Sequence, residues 1–169
     1  VQKITLKEAF KKFAQVELID HDPDLAKKAR EKNIHSVQQN DCFETAFFKI
    51  LIEKIEPELT KIPWAILYDY PASQSALAKV SKGVAKRFEV YASGIELSNG
   101  FEELTDPKVN RSRLEESYHL RKDLHAKNPS VDEAFLDDLT YLNLKSCAGN
   151  ALGFDRLLAV LLNEQSIEK

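Results

Sequence analysis

The stretch Arg87-Phe-Glu-Val-Tyr-Ala-Ser-Gly-Ile-Glu-Leu-Ser-Asn-Gly-Phe-Glu-Glu-Leu-Thr-Asp106 constrains this chain more than any other. Two runs that read as strands flank Ser93-Gly94, a dipeptide suited to a two-residue hairpin turn. Strands disfavour Glu, Asn and Gly, yet all three interrupt a hairpin that otherwise reads as core. With a two-residue loop, Ala92 pairs with Ile95, Tyr91 with Glu96, and Glu89 with Ser98. Glu89 and Glu96 then lie diagonally on one face. Two carboxylates that close call for a cation between them. Mg²⁺ carrying a nucleotide is one such cation, because it favours one or two carboxylates together with phosphate oxygens. Asn99, Phe101 and Glu103 alternate and so share a face. Strict alternation puts that face opposite Glu96, and a bulge near Ser98 to Gly100 would bring all five to one side. On composition alone, a solvent-facing hairpin with merely solvated glutamates explains the segment at least as well.

The second informative segment is Cys147-Ala-Gly-Asn-Ala-Leu-Gly-Phe-Asp-Arg156, which runs into the apolar Leu157 to Leu162. Gly149 and Gly153 permit close approach of a flat ligand to the backbone. Arg156 stands in the first turn of the helix, where a cation is slightly unfavourable and where exposed N–H groups favour an anion. A guanidinium there suits a phosphate through paired hydrogen bonds. A glycine turn followed by an Arg paired to Asp155 or to water is the plainer alternative.

Around these two segments the pattern is mainly helical. Helices are expected over 4–14, with Thr5 and Glu8 as a capping box, over 22–32 with Pro23 in the first turn, and over 41–59. The last carries an apolar stripe of Phe43, Phe47, Ile50, Leu51 and Ile55. A buried strand is expected from Trp64 to Tyr68, ending at Pro71. Helices over 107–127 and 131–142, a short strand over 150–153 and a last helix over 154–162 complete the chain. The order predicts an α+β fold with an antiparallel sheet flanked by helices, in one domain over 1–169.

The 169 residues are 43% hydrophobic and 30% charged, with a net charge of −3. That is an ordinary globular composition with no basic field for nucleic acid. No apolar run reaches the length of a membrane span, and no secretory signal opens the chain. Cys42 and Cys147 lack CxxC spacing and read as free thiols in a reducing compartment, the cytoplasm. The chain has no methionine and opens at Val1, so it is expected to be a segment of a longer protein. His21, His35, His119 and His125 are scattered without ligand spacing and are expected at the surface. The basic clusters Lys7, Lys11 and Lys12, and Lys27, Lys28 and Arg30, read as solvated helix faces.

Taken together, the two informative segments resemble class II aminoacyl-tRNA synthetases of the lysine-specific branch. Gly153-Phe-Asp-Arg156 is similar to the end of that class's motif 3. The stretch from Gly94 to Pro107 is similar to the part of lysyl-tRNA synthetases that binds the amino acid and metal-bound ATP. Tyr70 to Ala78, Arg111-Ser-Arg113 and Asp132 to Leu136 extend the resemblance over most of the chain. Tyr68-Asp-Tyr-Pro-Ala-Ser-Gln74 and Cys147-Ala-Gly-Asn-Ala-Leu-Gly153 look like the elongation factor P lysine ligases, synthetase paralogues without an anticodon-binding domain.

That resemblance implies the C-terminal portion of a class II catalytic domain, with the motif 1 and motif 2 regions absent. It implies ATP and Mg²⁺ as cofactors, lysine or β-lysine as substrate, elongation factor P as acceptor, and a homodimeric parent. By the same resemblance Glu96 and Arg156 are catalytic. Glu96 would hold Mg²⁺-ATP with Glu89 as its partner, and Leu97 would lie beside the nucleotide. Gly153 would let adenine lie against the backbone, and Arg156 would meet the terminal phosphates. Asn99 and Phe101 would line the amino-acid site, and Glu103 would receive the substrate's side-chain ammonium. A tRNA acceptor is the alternative within the class, and a non-catalytic synthetase-like module the alternative outside it. Without motifs 1 and 2, the segment by itself is expected to be inactive.

Overall fold

In the computed structural model, which describes residues 1–123 and 130–164, Thr5 decides where the first helix begins. Its hydroxyl accepts from the Glu8 N–H at 3.2 Å, and the Glu8 carboxylate accepts from the Thr5 N–H at 2.9 Å. This is the expected capping box. The residues before it form a strand, β1 (Gln2–Thr5), so Ile4 is not the first helical residue. Helix α1 (Leu6–Ala9) continues into a widened turn over Phe10–Ala14, and Gln15 closes it with φ 56. Helix α2 (Leu25–Glu31) starts later than expected because the Asp22 carboxylate accepts from the Asp24 N–H at 3.0 Å. Pro23 therefore precedes the helix instead of opening it. Helix α3 (Phe43–Ile50), a widened turn (Leu51–Ile55) and α4 (Glu56–Leu59) form one helical run. Phe47, Ile50, Leu51, Ile55 and Leu59 are buried there, and the Phe47 ring stacks on Phe10 at 5.1 Å.

Among the described residues six strands form one sheet: β1, β2 (Trp64–Pro71), β3 (Val80–Ser81), β4 (Val84–Ala92), β5 (Ile95–Glu102) and β6 (Ala148–Leu152). The spatial order is β1-β2-β4-β5-β6, with β3 also paired to β4. Only β1 and β2 run parallel; the other pairs are antiparallel. Helices flank this sheet, which gives the expected α+β class. Ile4, Ala65, Leu67, Tyr70, Ala85 and Tyr91 from the sheet meet Leu6, Phe10, Phe47 and Ile55 in one core.

The β4–β5 turn has Ser93 at φ 46 and Gly94 at φ 85. Positive φ at both positions is the signature of the type I′ turn, whose twist matches that of the flanking strands. A Cβ on Gly94 would also stand 2.6 Å from Thr60 Cγ2, just past α4. Ala92 pairs with Ile95 and Tyr91 with Glu96, as expected. The ladder then shifts: Val90 pairs with Ser98 and Glu89 with Asn99. Glu89 is therefore not opposite Ser98. The extra residue is Leu97, one position before the expected bulge.

Beyond the sheet come α5 (Pro107–Asp123), α6 (Glu133–Leu142) and α7 (Phe154–Leu162). Asp106 caps α5 by accepting from Lys108 N–H at 2.8 Å and Val109 N–H at 3.2 Å. The part of the expected helix over 124–127, His125 included, lies outside the described residues. Asp132 caps α6, which starts two residues after the expected Val131.

Candidate functional site

Residues directly opposite across a ladder project to the same face of a sheet. The pairs Arg87 with Phe101, Glu89 with Asn99 and Tyr91 with Glu96 therefore put all six side chains on one side. The bulge at Leu97 makes this possible, because without it Glu96 would face away from Asn99. Glu103 lies on the same side: a Cβ at Gly149, the cross-strand partner of Phe101, would run into the Glu103 carboxylate. Gly149 thus makes room for a side chain of the protein itself, not for a flat ligand. The Glu103 N–H is fixed to the Cys147 carbonyl at 2.9 Å.

The three glutamates of this face differ in how their charge is met. The Glu89 carboxylate accepts from Arg87 Nη2 at 2.7 Å and from the Tyr91 hydroxyl at 2.7 Å, and it is almost fully buried. Burial, and then the neighbouring Glu89 charge, push the Tyr91 phenol far above its ordinary range. Glu96 lies nearer solvent, with Arg156 Nη1 3.5 Å from Oε2 and donating to the Glu96 carbonyl at 2.9 Å. Arg156 is thus neither free nor paired to Asp155. Glu103 has no ion pair and no side-chain hydrogen bond among the described residues. Burial raises its carboxyl above the ordinary 4.5. Asn99 Oδ1 is likewise buried without a partner.

The remaining expected residues are placed as follows. Leu97 is buried, and its carbonyl accepts from the Gly153 N–H at 2.8 Å. Leu97 and Gly153 thus tie the hairpin to the start of α7. Gly153 caps α7 with φ −74, and a Cβ there would meet Arg156 Cδ at 3.4 Å. Two further residues stand on or beside the face and have no signal of their own in the linear pattern. Arg87 is one, legible only as the alternating neighbour of Glu89. Glu56 of α4 is the other: burial first, and then the Glu89 and Glu96 charges, raise its carboxyl.

A divalent cation fits this donor set. Glu96 offers a partly exposed carboxylate, and Glu89 stands behind it with one hydrogen bond on each oxygen. Among the described residues no group of three or more His, Cys, Asp or Glu could hold a metal ion. Mg²⁺ does not need such a cage, since it keeps waters or phosphate oxygens beside one or two carboxylates. His21, His35 and His119 are exposed, as expected, and both cysteines are free. No helix among the described residues is long and apolar enough to cross a membrane.

The chain belongs to the class II tRNA synthetases: the family model for tRNA synthetases class II (D, K and N) matches residues 1–169. Within that class it is similar to proteins named elongation factor P–(R)-β-lysine ligase. The one from Hamiltonella defensa is 34% identical over 173 residues, covering 99% of this chain and 53% of its own length. The one from Proteus mirabilis is 32% identical over 173 residues, covering 98% and 52%. The one from Vibrio cholerae is 42% identical over 118 residues, covering 68% and 36%. The chain thus spans about half the length of the first two relatives.

Proposed function

We propose that the whole protein is an ATP-dependent ligase that activates lysine or β-lysine and passes it to a lysine of elongation factor P. This chain would form the C-terminal part of its catalytic domain, working in the cytoplasm. The observation that carries the reading is Glu103. Among the described residues, two of the three sheet-face glutamates stand beside a guanidinium, and Glu103 does not. A half-buried carboxylate without a partner is a place for a cation from outside. The ammonium of a diamino acid supplies it, with Phe101 packing on the carbon chain and the unpartnered Asn99 Oδ1 accepting a further N–H.

In this reading Arg156 would meet the terminal phosphates of ATP, and Glu96, backed by Glu89, would hold Mg²⁺, which supplies charge neutralisation there. The substrate carboxylate attacks the α-phosphorus in line, an acyl–phosphate bond forms, and pyrophosphate leaves. The acceptor amine then attacks the carbonyl, loses a proton, and AMP leaves. The protein's own part is positioning and charge neutralisation. The names of the relatives favour elongation factor P as acceptor. The test is ATP–pyrophosphate exchange with lysine and with (R)-β-lysine on the whole protein, followed by transfer to elongation factor P or to tRNA. Amino-acid-dependent exchange with transfer to the protein is expected. Transfer to tRNA alone would make it a tRNA synthetase, and no exchange with either amino acid would reject the ligase reading.

A further inference from the structure

Arg87 is the most tightly held cation of the site face. Its guanidinium lies 4.4 Å from the Tyr70 ring centroid and 5.8 Å from that of Phe101. It donates to the Gln74 carbonyl at 3.0 Å and to Glu89 at 2.7 Å. The ion pair is enclosed, with 14% of the Arg87 side chain and 7% of the Glu89 side chain exposed. Nε is buried without a partner. A guanidinium suits such a place because its planar fork stacks on rings while bridging two acceptors. Phe101, directly opposite Arg87 in the ladder, is also a wall of the proposed amino-acid site.

We propose that Arg87 is a specificity-determining positioning residue: by neutralising Glu89 it leaves Glu103 as the sheet-face carboxylate that a substrate ammonium can meet. The inference rests on the function proposed above. Glu89 and Glu103 project from the same face, and a carboxylate draws an ammonium wherever its charge is unmatched. With Arg87 in place, an ammonium near Glu89 meets a cation as well. Without it, Glu89 becomes a second acceptor, and a diamino acid has two ways to lie across Phe101. Arg87 touches no reacting atom in this arrangement; it acts through Glu89 and through the Phe101 ring.

Three variants of the whole protein separate this role from mere structural support. Arg87→Met removes the charge and keeps much of the bulk. It is expected to raise the amino-acid KM by about tenfold or more, as losing one partner of a buried charge pair does, with a smaller change in the KM for Mg²⁺-ATP. Arg87→Lys keeps the charge but loses the stacked fork, so its amino-acid KM should rise clearly less than that of Arg87→Met. Arg87→Met combined with Glu89→Gln removes both charges, so its amino-acid KM should return toward wild type even though ATP binding suffers. An unchanged amino-acid KM in Arg87→Met would overturn the inference. So would a double variant no better than Arg87→Met. If Arg87→Met fails to fold, the double variant, which buries no unpaired charge, decides alone: an amino-acid KM raised as far as that predicted for Arg87→Met counts against the idea. A wild-type protein that binds no diamino acid would overturn the underlying functional reading, and this inference with it.

Discussion

An ammonium that leaves water for a half-buried pocket needs a carboxylate in return, and Glu103 is the sheet-face glutamate with no partner among the described residues. Glu103→Gln keeps the size and removes the charge, at an expected cost of about 2–5 kcal/mol in amino-acid binding. Glu96→Gln should act on Mg²⁺-ATP instead. The pair of Michaelis constants in each variant separates the two roles; an unchanged amino-acid constant in Glu103→Gln would show that the two are misassigned. The pH dependence follows from the same residue. Burial holds the Glu103 carboxyl above 4.5, so the free protein keeps its proton to a higher pH than an exposed glutamate does. A bound ammonium favours the ionised form. Affinity for the amino acid should therefore rise with pH through an apparent pKa above 4.5 and then level off. Titrating affinity in wild type and in Glu103→Gln checks this, since the rise should vanish in the variant. At this scale the sequence shows which residue types gather, because Glu, Asn and Gly stand out in a strand. It does not show which glutamate is charge-matched, because the pairing of Arg87 with Glu89 and of Arg156 with Glu96 depends on geometry between elements.

The β4–β5 hairpin was the most legible element, for a physical reason. A two-residue turn fixes register, and a period of two then fixes the face of every side chain. The need to gather Glu96 with Asn99 already required a break in alternation, and only its position, at Leu97, came from the structure. Strand β1 was illegible because its support is nonlocal: Ile4 pairs with Leu67, far along the chain, while its apolar spacing also fits the helix that follows. Helix starts shifted by up to three residues where an Asp side chain took the first N–H groups, as Asp22 does. Strand β6 supplies an element-scale prediction. Gly149 lies under the Glu103 carboxylate, so Gly149→Ala should push that carboxylate aside without disturbing a positive φ, which Gly149 does not have. The expected result is a raised amino-acid KM with a KM for ATP close to wild type. A thermal unfolding midpoint within a few degrees of wild type, about 1 kcal/mol or less of lost stability for a domain of this size, would show that the fold is intact. Equal loss for both substrates would mean instead that β6 as a whole has moved.

For the whole molecule, the deciding question is whether this face carries enough positive charge for adenylate formation. The proposed reaction would bring a substrate carboxylate against the α-phosphate of a polyanion, and like charges at that range repel strongly in a partly desolvated site. On the site face the described residues offer two guanidiniums. Arg87 is locked between Tyr70, Phe101, Gln74 and Glu89, and Arg156 stands against Glu96. Mg²⁺ on Glu96 would release Arg156 for the terminal phosphates, which still leaves the α-phosphate without a cation from the protein. Under the proposed function that cation comes from outside this face, which accords with a chain spanning about half the length of its relatives. The 169-residue chain prepared alone should therefore show no lysine-dependent or β-lysine-dependent ATP–pyrophosphate exchange, while the whole protein should. Adding ATP analogues to the isolated chain separates the steps. Weak Mg²⁺-dependent nucleotide binding that Arg156→Ala abolishes is expected, because the proposed terminal-phosphate contact, Arg156, lies within this chain. Robust exchange by the isolated chain would show that Arg156 and Mg²⁺ suffice at the α-phosphate and that the charge argument is wrong.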